Sequence, residues 1–185
     1  LDRLAAVGAV LRACGEAGNP APMTFTSAEW KSSADVFPME YADILERHRV
    51  LHGADVTSEV TVARSDLRLQ VEQQALGKLL HLRRGAMAAG DDGSEQLRLL
   101  EASLSAIMVV FRGAVRLDGG VPSQDYAELS ADVAKRAGFN AEPFRRVVEH
   151  VRGRNKIVRD DAGKILAGYM AGMEALTAWI DGFTT

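Results

Sequence analysis

Cysteine, aromatic residues and excess charge are all scarce in this chain. Its 185 residues include one cysteine, Cys14, so a disulfide framework is excluded. A lone thiol fits a reducing compartment, and a cytoplasmic location is the expectation. The 22 Lys and Arg nearly balance the 25 Asp and Glu, leaving a formal charge of -3. With a pI of about 5.8 there is no basic excess to imply a general nucleic-acid surface. No apolar run approaches the ~20 residues that cross a bilayer, so no membrane partner is expected. What is present is ordinary for a folded protein: 47% hydrophobic and 25% charged residues argue against disorder. A chain of this size folded as one body buries roughly 70% of its unfolded surface, enough for a core without staples. It has room for one domain, or one domain and a smaller piece.

The first ~55 residues read differently from the rest. The chain starts at Leu1 rather than Met, in a helix with apolar residues at Leu4, Val7, Val10 and Leu11. That helix is expected to stop at Gly15 to Gly18, before a rigid turn at Asn19-Pro20-Ala21-Pro22. Met23 to Thr26 is expected as a short strand. Thr26 and Glu29 make a capping box for a short helix through Ser33. Val36 to Ile44 (VFPMEYADI) is rich in β-branched and aromatic residues and reads as an edge strand, since Pro38 cannot serve a central ladder. On that strand Glu40 points with Val36, Pro38, Ala42 and Ile44, and Asp43 points the other way. Leu45 to Leu51 is expected as one or two helical turns, and Val56 to Val62 as a small strand.

From Ser65 onward only helices are expected, broken at Gly90-Asp91-Asp92-Gly93, at Asp118-Gly119-Gly120 and at Gly138, with Asn140 and Asp160 or Asp161 capping the last two. The last carries a Gly/Ala stripe from Gly163 to Ala178, suited to close packing within the chain or between the subunits of a homodimer. In the helix from Asp66, Leu69, Leu76, Leu80 and Met87 share one side, and Leu67, Val71, Ala75 and Leu82 lie on the other flank. Arg68, Glu72 and Arg83 project between these sectors. Arg68 and Glu72, four apart, can pair with each other. Alternatively Arg68 or Arg83 faces a phosphate or an acidic substrate. His48 and His52 have metal-ligand spacing without a third ligand, so capping or solvated roles are favoured. Arg145 and His150 match the R-x4-H spacing of HEPN ribonucleases, a two-residue coincidence better read as two surface side chains.

The run TSAEWKSSADVFPMEYADILERHRVLHGADV, followed by DLRLQVEQQALGKLLHLRRG, resembles bacterial nucleotidyltransferase-domain proteins, over about Pro20 to Arg84. The resemblance implies a polymerase-β-like nucleotidyltransferase unit followed by a helical substrate-binding-type bundle. The fold expected is therefore mainly α: an up-and-down bundle over residues 63–185, preceded by a small α+β remnant over residues 1–62. Such enzymes hold Mg2+ with a D-x-D pair after a Gly-Ser turn, plus a third acid in an apolar-acid-apolar context. Met39-Glu40-Tyr41 fits that context, and Ala42-Asp43-Ile44 is the second candidate. Glu40 is thus the implied metal-facing and catalytic acid, with Asp43 beside it. Arg68, Glu72, Lys78 and Arg83 are the candidates to line an acceptor cleft for a nucleotide and an unidentified acceptor. The Gly-Ser and D-x-D segment is missing from these 185 residues. The expectation is therefore a portion that lies C-terminal to the catalytic half and is inactive by itself. The alternative is an interaction module that pairs with a separate nucleotidyltransferase chain.

Overall fold

The computed structural model describes residues 2–19 and 22–183, and the side chains from residue 7 onward. Among the described residues there are eight α-helices, one 3-10 turn and no strand. The chain divides into two compact units, residues 1–33 and 34–185.

The first unit holds α1 (Asp2–Glu16) and α2 (Ser27–Ser32). Helix α2 starts where its capping box stands: the Thr26 amide donates to Glu29 at 2.7 Å and the Glu29 amide donates to the Thr26 hydroxyl at 3.2 Å. Phe25 meets Trp30 edge-on, with ring centroids 6.0 Å apart. Met23 to Thr26 is not a strand but irregular chain leading into that cap. In the expected turn at residues 19–22, Pro20 and Ala21 lie outside the described residues, as does the side chain of Leu4.

The second unit begins with the main correction. Residues 36–44 do not form a strand; Pro38–Glu46 is helix α3. Pro38 sits at its first turn, where the fixed φ of proline suits a helix and its missing N–H costs nothing. Glu40 adds an acid to the same turn, which the helix dipole favours. Proline, read as a strand-edge mark, is here a helix start. Helix α3 stops at Glu46, so Leu45 to Leu51 is mostly irregular, and Val56 to Val62 contains a 3-10 turn at Thr57–Glu59 instead of a strand. The α+β remnant is absent from the described residues, and the fold is mainly helical.

The remaining helices are α4 (Arg64–Ala89), α5 (Gly93–Leu117), α6 (Tyr126–Ala137), α7 (Glu142–Val151) and α8 (Arg159–Asp181). Helices α4, α5 and α8 pack mutually, α3 lies on α4, and α6 and α7 pack on α5 and α8. Asp92 caps α5 by accepting from the amides of Ser94 and Glu95, and Asp125 does the same for α6. These amides pull the Asp92 carboxyl below its ordinary range; at Asp125 the Arg152 guanidinium is the larger cause. The core runs through Val71, Leu82, Leu100, Ile107, Phe111 and Leu176, all fully buried. At one end Phe111, Phe139, Phe144 and Tyr169 form an aromatic cluster with centroid separations of 4.3 to 6.1 Å. The glycine stripe of α8 is filled from within the chain. A Cβ on Gly172 would stand 2.5 Å from the Phe144 ring, and one on Gly168 2.6 Å from Pro143. No helix of the described residues is long and apolar enough to cross a membrane.

Candidate functional site

Helices α3, α4 and α5 meet around a shared close approach. A Cβ on Gly113 of α5 would lie 2.7 Å from Val71 of α4 and 3.1 Å from Met39 of α3, so only glycine lets the three helices come this near. Beside this contact is a pocket of about 210 Å3, walled by Glu40, Gln70, Gln74 and Lys78 over a floor that includes Ala106 and Val109. Gln70, Gln74 and Lys78 follow at i, i+4 and i+8, which places them on one edge of α4.

Gln70 organises the pocket. No side chain caps α3 from within, since Phe37 at its N-cap makes no such bond. Instead the Met39 amide, one of the unsatisfied donors of that first turn, donates to Gln70 Oε1 at 2.7 Å. The other end of the Gln70 amide donates from Nε2 to Glu40 Oε2 at 3.1 Å. One side chain of α4 thereby caps α3 and orients its exposed carboxylate. Lys78, half-buried, has neither an ion pair nor a hydrogen bond among the described residues. The pocket thus offers an ammonium, a carboxylate and an amide above an apolar floor, which suits a ligand bearing hydroxyl or phosphate groups.

Glu40 and Lys78 are brought together, whereas the other expected site residues lie elsewhere. Asp43 turns toward α5, where its Oδ1 is 2.7 Å from the Arg116 guanidinium and 3.9 Å from that of Arg112. Arg116 also grips Glu46 with two bonds, at 2.7 and 2.8 Å, so it ties Asp43 and Glu46, two of the three acids of α3, to α5. Arg68 pairs with Glu72 at 3.1 Å and donates to the Asp181 carbonyl at the end of α8. Arg83 pairs with Glu174 of α8 at 2.7 Å. The three residues projecting between the apolar sectors thus fasten α4 along its own length and to α8.

The donors around Glu40 do not make a Mg2+ site by themselves. Gln70 presents an NH2 to the carboxylate, and the other charged group of the pocket is an ammonium. Mg2+ demands near-octahedral oxygen ligands. Among the described residues no three or more His, Cys, Asp or Glu side chains gather closely enough to hold a metal.

Two of the four histidines, His48 and His150, are held by structural partners. His48 Nδ1 is 3.0 Å from the Ile44 carbonyl in the last turn of α3, and its Nε2 is 3.1 Å from Asp55. Asp55 also accepts from the Thr57 hydroxyl and amide, chiefly for which its pKa falls to about 2. His150 is not the surface side chain that was expected in preference to the R-x4-H reading. It is buried, it accepts the Ile157 amide at Nδ1 at 2.9 Å, and its Nε2 lies 2.7 Å from Glu101. Since Nδ1 accepts, Nε2 carries the proton and donates to Glu101. Arg145 points away and pairs with Glu142 and Glu149.

Sequence reasoning did not single out Gln70, Gln74 or Arg116. Polar residues at i, i+4 and i+8 on an otherwise apolar flank were the available sign for the first two, with Lys78. Nothing local marked Arg116, whose partners are 70 or more positions away. None of the known family models, curated proteins and solved structures compared with the chain matches it.

Proposed function

We propose that this chain is the helical, substrate-binding portion of a nucleotidyltransferase-like protein, and that the α3–α4–α5 pocket receives a phosphate- or hydroxyl-bearing ligand. The observation that carries this reading is the shared pocket of Glu40, Gln70, Gln74 and Lys78. Two residues named from the resemblance, far apart in sequence, line one concavity, and its lysine makes no ion pair among the described residues. Lys78 pairs with phosphate oxygens as a point charge. Glu40, held by Gln70, accepts from ligand hydroxyls, and Gln74 supplies a further donor and acceptor.

Nucleotidyl transfer needs two metal ions held by several acids, together with an aligned acceptor and leaving group. Glu40 in its present surroundings does not hold them. The metal and its acids are therefore assigned to protein outside these 185 residues, and the chain by itself binds ligand without transferring a nucleotidyl group. The test is calorimetric titration of the chain with each of the four ribonucleoside triphosphates. At least one binds, and Lys78→Glu weakens that binding by about 1.4 kcal/mol or more, a factor of ten. Failure of all four to bind, or equal binding by the variant, refutes the assignment of the pocket.

A further inference from the structure

Helix α4 has a second apolar face that nothing among the described residues of its own unit, 34–185, covers. Leu69, Leu76, Leu80 and Met87 are 64%, 44%, 53% and 78% exposed. Their spacings of seven, four and seven follow the 3.5-residue repeat of a coiled-coil seam. Gly77 lies on the flank of this stripe, in the middle of a 26-residue helix. A glycine there weakens the helix relative to alanine. Packing inside the chain does not account for it, because a Cβ at Gly77 would meet nothing within 4 Å.

The stripe is complementary to itself. Leu69 with Met87 and Leu76 with Leu80 are two pairs centred on the same point, residue 78. An antiparallel copy related by a two-fold axis at that point sets Leu69 against Met87 and Leu76 against Leu80, each twice. The same axis sets Gly77 about 3 Å along the helix from Gly77 of the second copy, on the same flank of the seam, where the missing side chains leave room for the partner's. Charge agrees with this orientation. Asp66 and Arg84 lie on the Gly77 flank at opposite ends of the helix, and neither has an oppositely charged partner among the described residues. Antiparallel pairing sets Arg84 of one copy level with residue 72 of the other, about 9 Å along the helix from Asp66 and on the same flank, a gap the long arginine side chain spans. Parallel pairing would instead set Arg83 of one copy against Arg84 of the other. We propose that this face of α4 is an isologous antiparallel dimer interface between two copies of the chain, with the two-fold axis passing beside Gly77.

Sedimentation equilibrium from micromolar to hundreds of micromolar tests it. The wild-type mass should rise from 20.0 kDa toward twice that value. The double variant Leu76→Glu/Leu80→Glu should stay at the monomer mass with an unchanged helical circular dichroism spectrum, since both side chains are already exposed. Arg84→Glu should weaken the dimer about tenfold, and adding Asp66→Lys should restore it. For orientation, Leu69→Cys and Met87→Cys in a Cys14→Ala background should form a disulfide-linked dimer when mixed, and neither should do so alone. A wild-type chain that stays monomeric, a dimer unaffected by the α4 variants, or cross-linking of Leu69→Cys with itself each overturns the proposal. The reading of the pocket does not depend on this result, because Lys78 lies on the opposite side of α4 from the stripe.

Discussion

The two apolar sides of α4 have similar side chains and opposite fates. Val71, Ala75 and Leu82 are wholly buried against α5 and α8, while Leu69, Leu80 and Met87 stand more than half exposed. Periodicity separates the two sectors without saying which one the fold covers. Coverage depends on long-range packing, and here the packed side is the one whose neighbours include Gly113, Ala114 and Met39. The difference teaches that an apolar stripe is a statement about a partner, and that the partner need not be in the same chain.

Paired substitutions sharpen the comparison. The largest effect is expected at Leu82: Leu82→Ala should lower the unfolding free energy by about 2–5 kcal/mol, because it leaves a cavity in the core. Leu80→Ala, one sector away, should change monomer stability by no more than about 0.5 kcal/mol in urea titrations at low concentration. Next come the glycines. Gly172→Ala forces a methyl against Phe144 and should cost about 1–3 kcal/mol. Gly77→Ala has open space and should stabilise the monomer by up to about 1 kcal/mol while weakening the dimer. Arg116→Ala removes the tie to Asp43 and Glu46. It should cost about 1–3 kcal/mol and speed amide exchange in α3 more than in α7.

The smallest effect is expected at Asp55, on the exposed loop after α3. Its carboxyl is lowered from 3.8 to about 2 by Thr57 and His48. A lowered folded-state value means that the contact stabilises above about pH 4 and is lost as pH falls through about 2. An NMR titration should show the Asp55 carboxyl signal shifting near pH 2, and Thr57→Ala should move that midpoint upward. A midpoint near the ordinary value in the unaltered chain would show that the Thr57 bonds do not form.

The long helices were legible because glycine stops such as Gly90 and Gly138 mark breaks that no tertiary contact has to supply; the Asp92 and Asp125 caps were not singled out, and α8 starts without a side-chain cap from Asp160 or Asp161. The capping box at Thr26 and Glu29 was legible for the same reason. The segment 36–44 was not, because β-branched and aromatic residues around Pro38 suit both a strand edge and a helix start, and the deciding contact is the Met39 amide on Gln70, 31 positions away. The candidate site was half legible. The resemblance pointed to Glu40 and Lys78 but attached Asp43, Arg68, Glu72 and Arg83 to the same cleft. Those side chains are held by Arg116, Asp181 and Glu174, partners that local spacing does not reveal, apart from the Arg68–Glu72 pair at i, i+4.

The pocket is tested most directly by amide shift mapping during titration with nucleoside triphosphates. With the ligand that binds, shifts should concentrate at residues 39–40, 70–78 and 106–110, and Lys78→Glu should abolish them while leaving the rest of the spectrum in place. Shifts centred elsewhere, for instance around Arg146 and Lys164 between α7 and α8, would contradict the account.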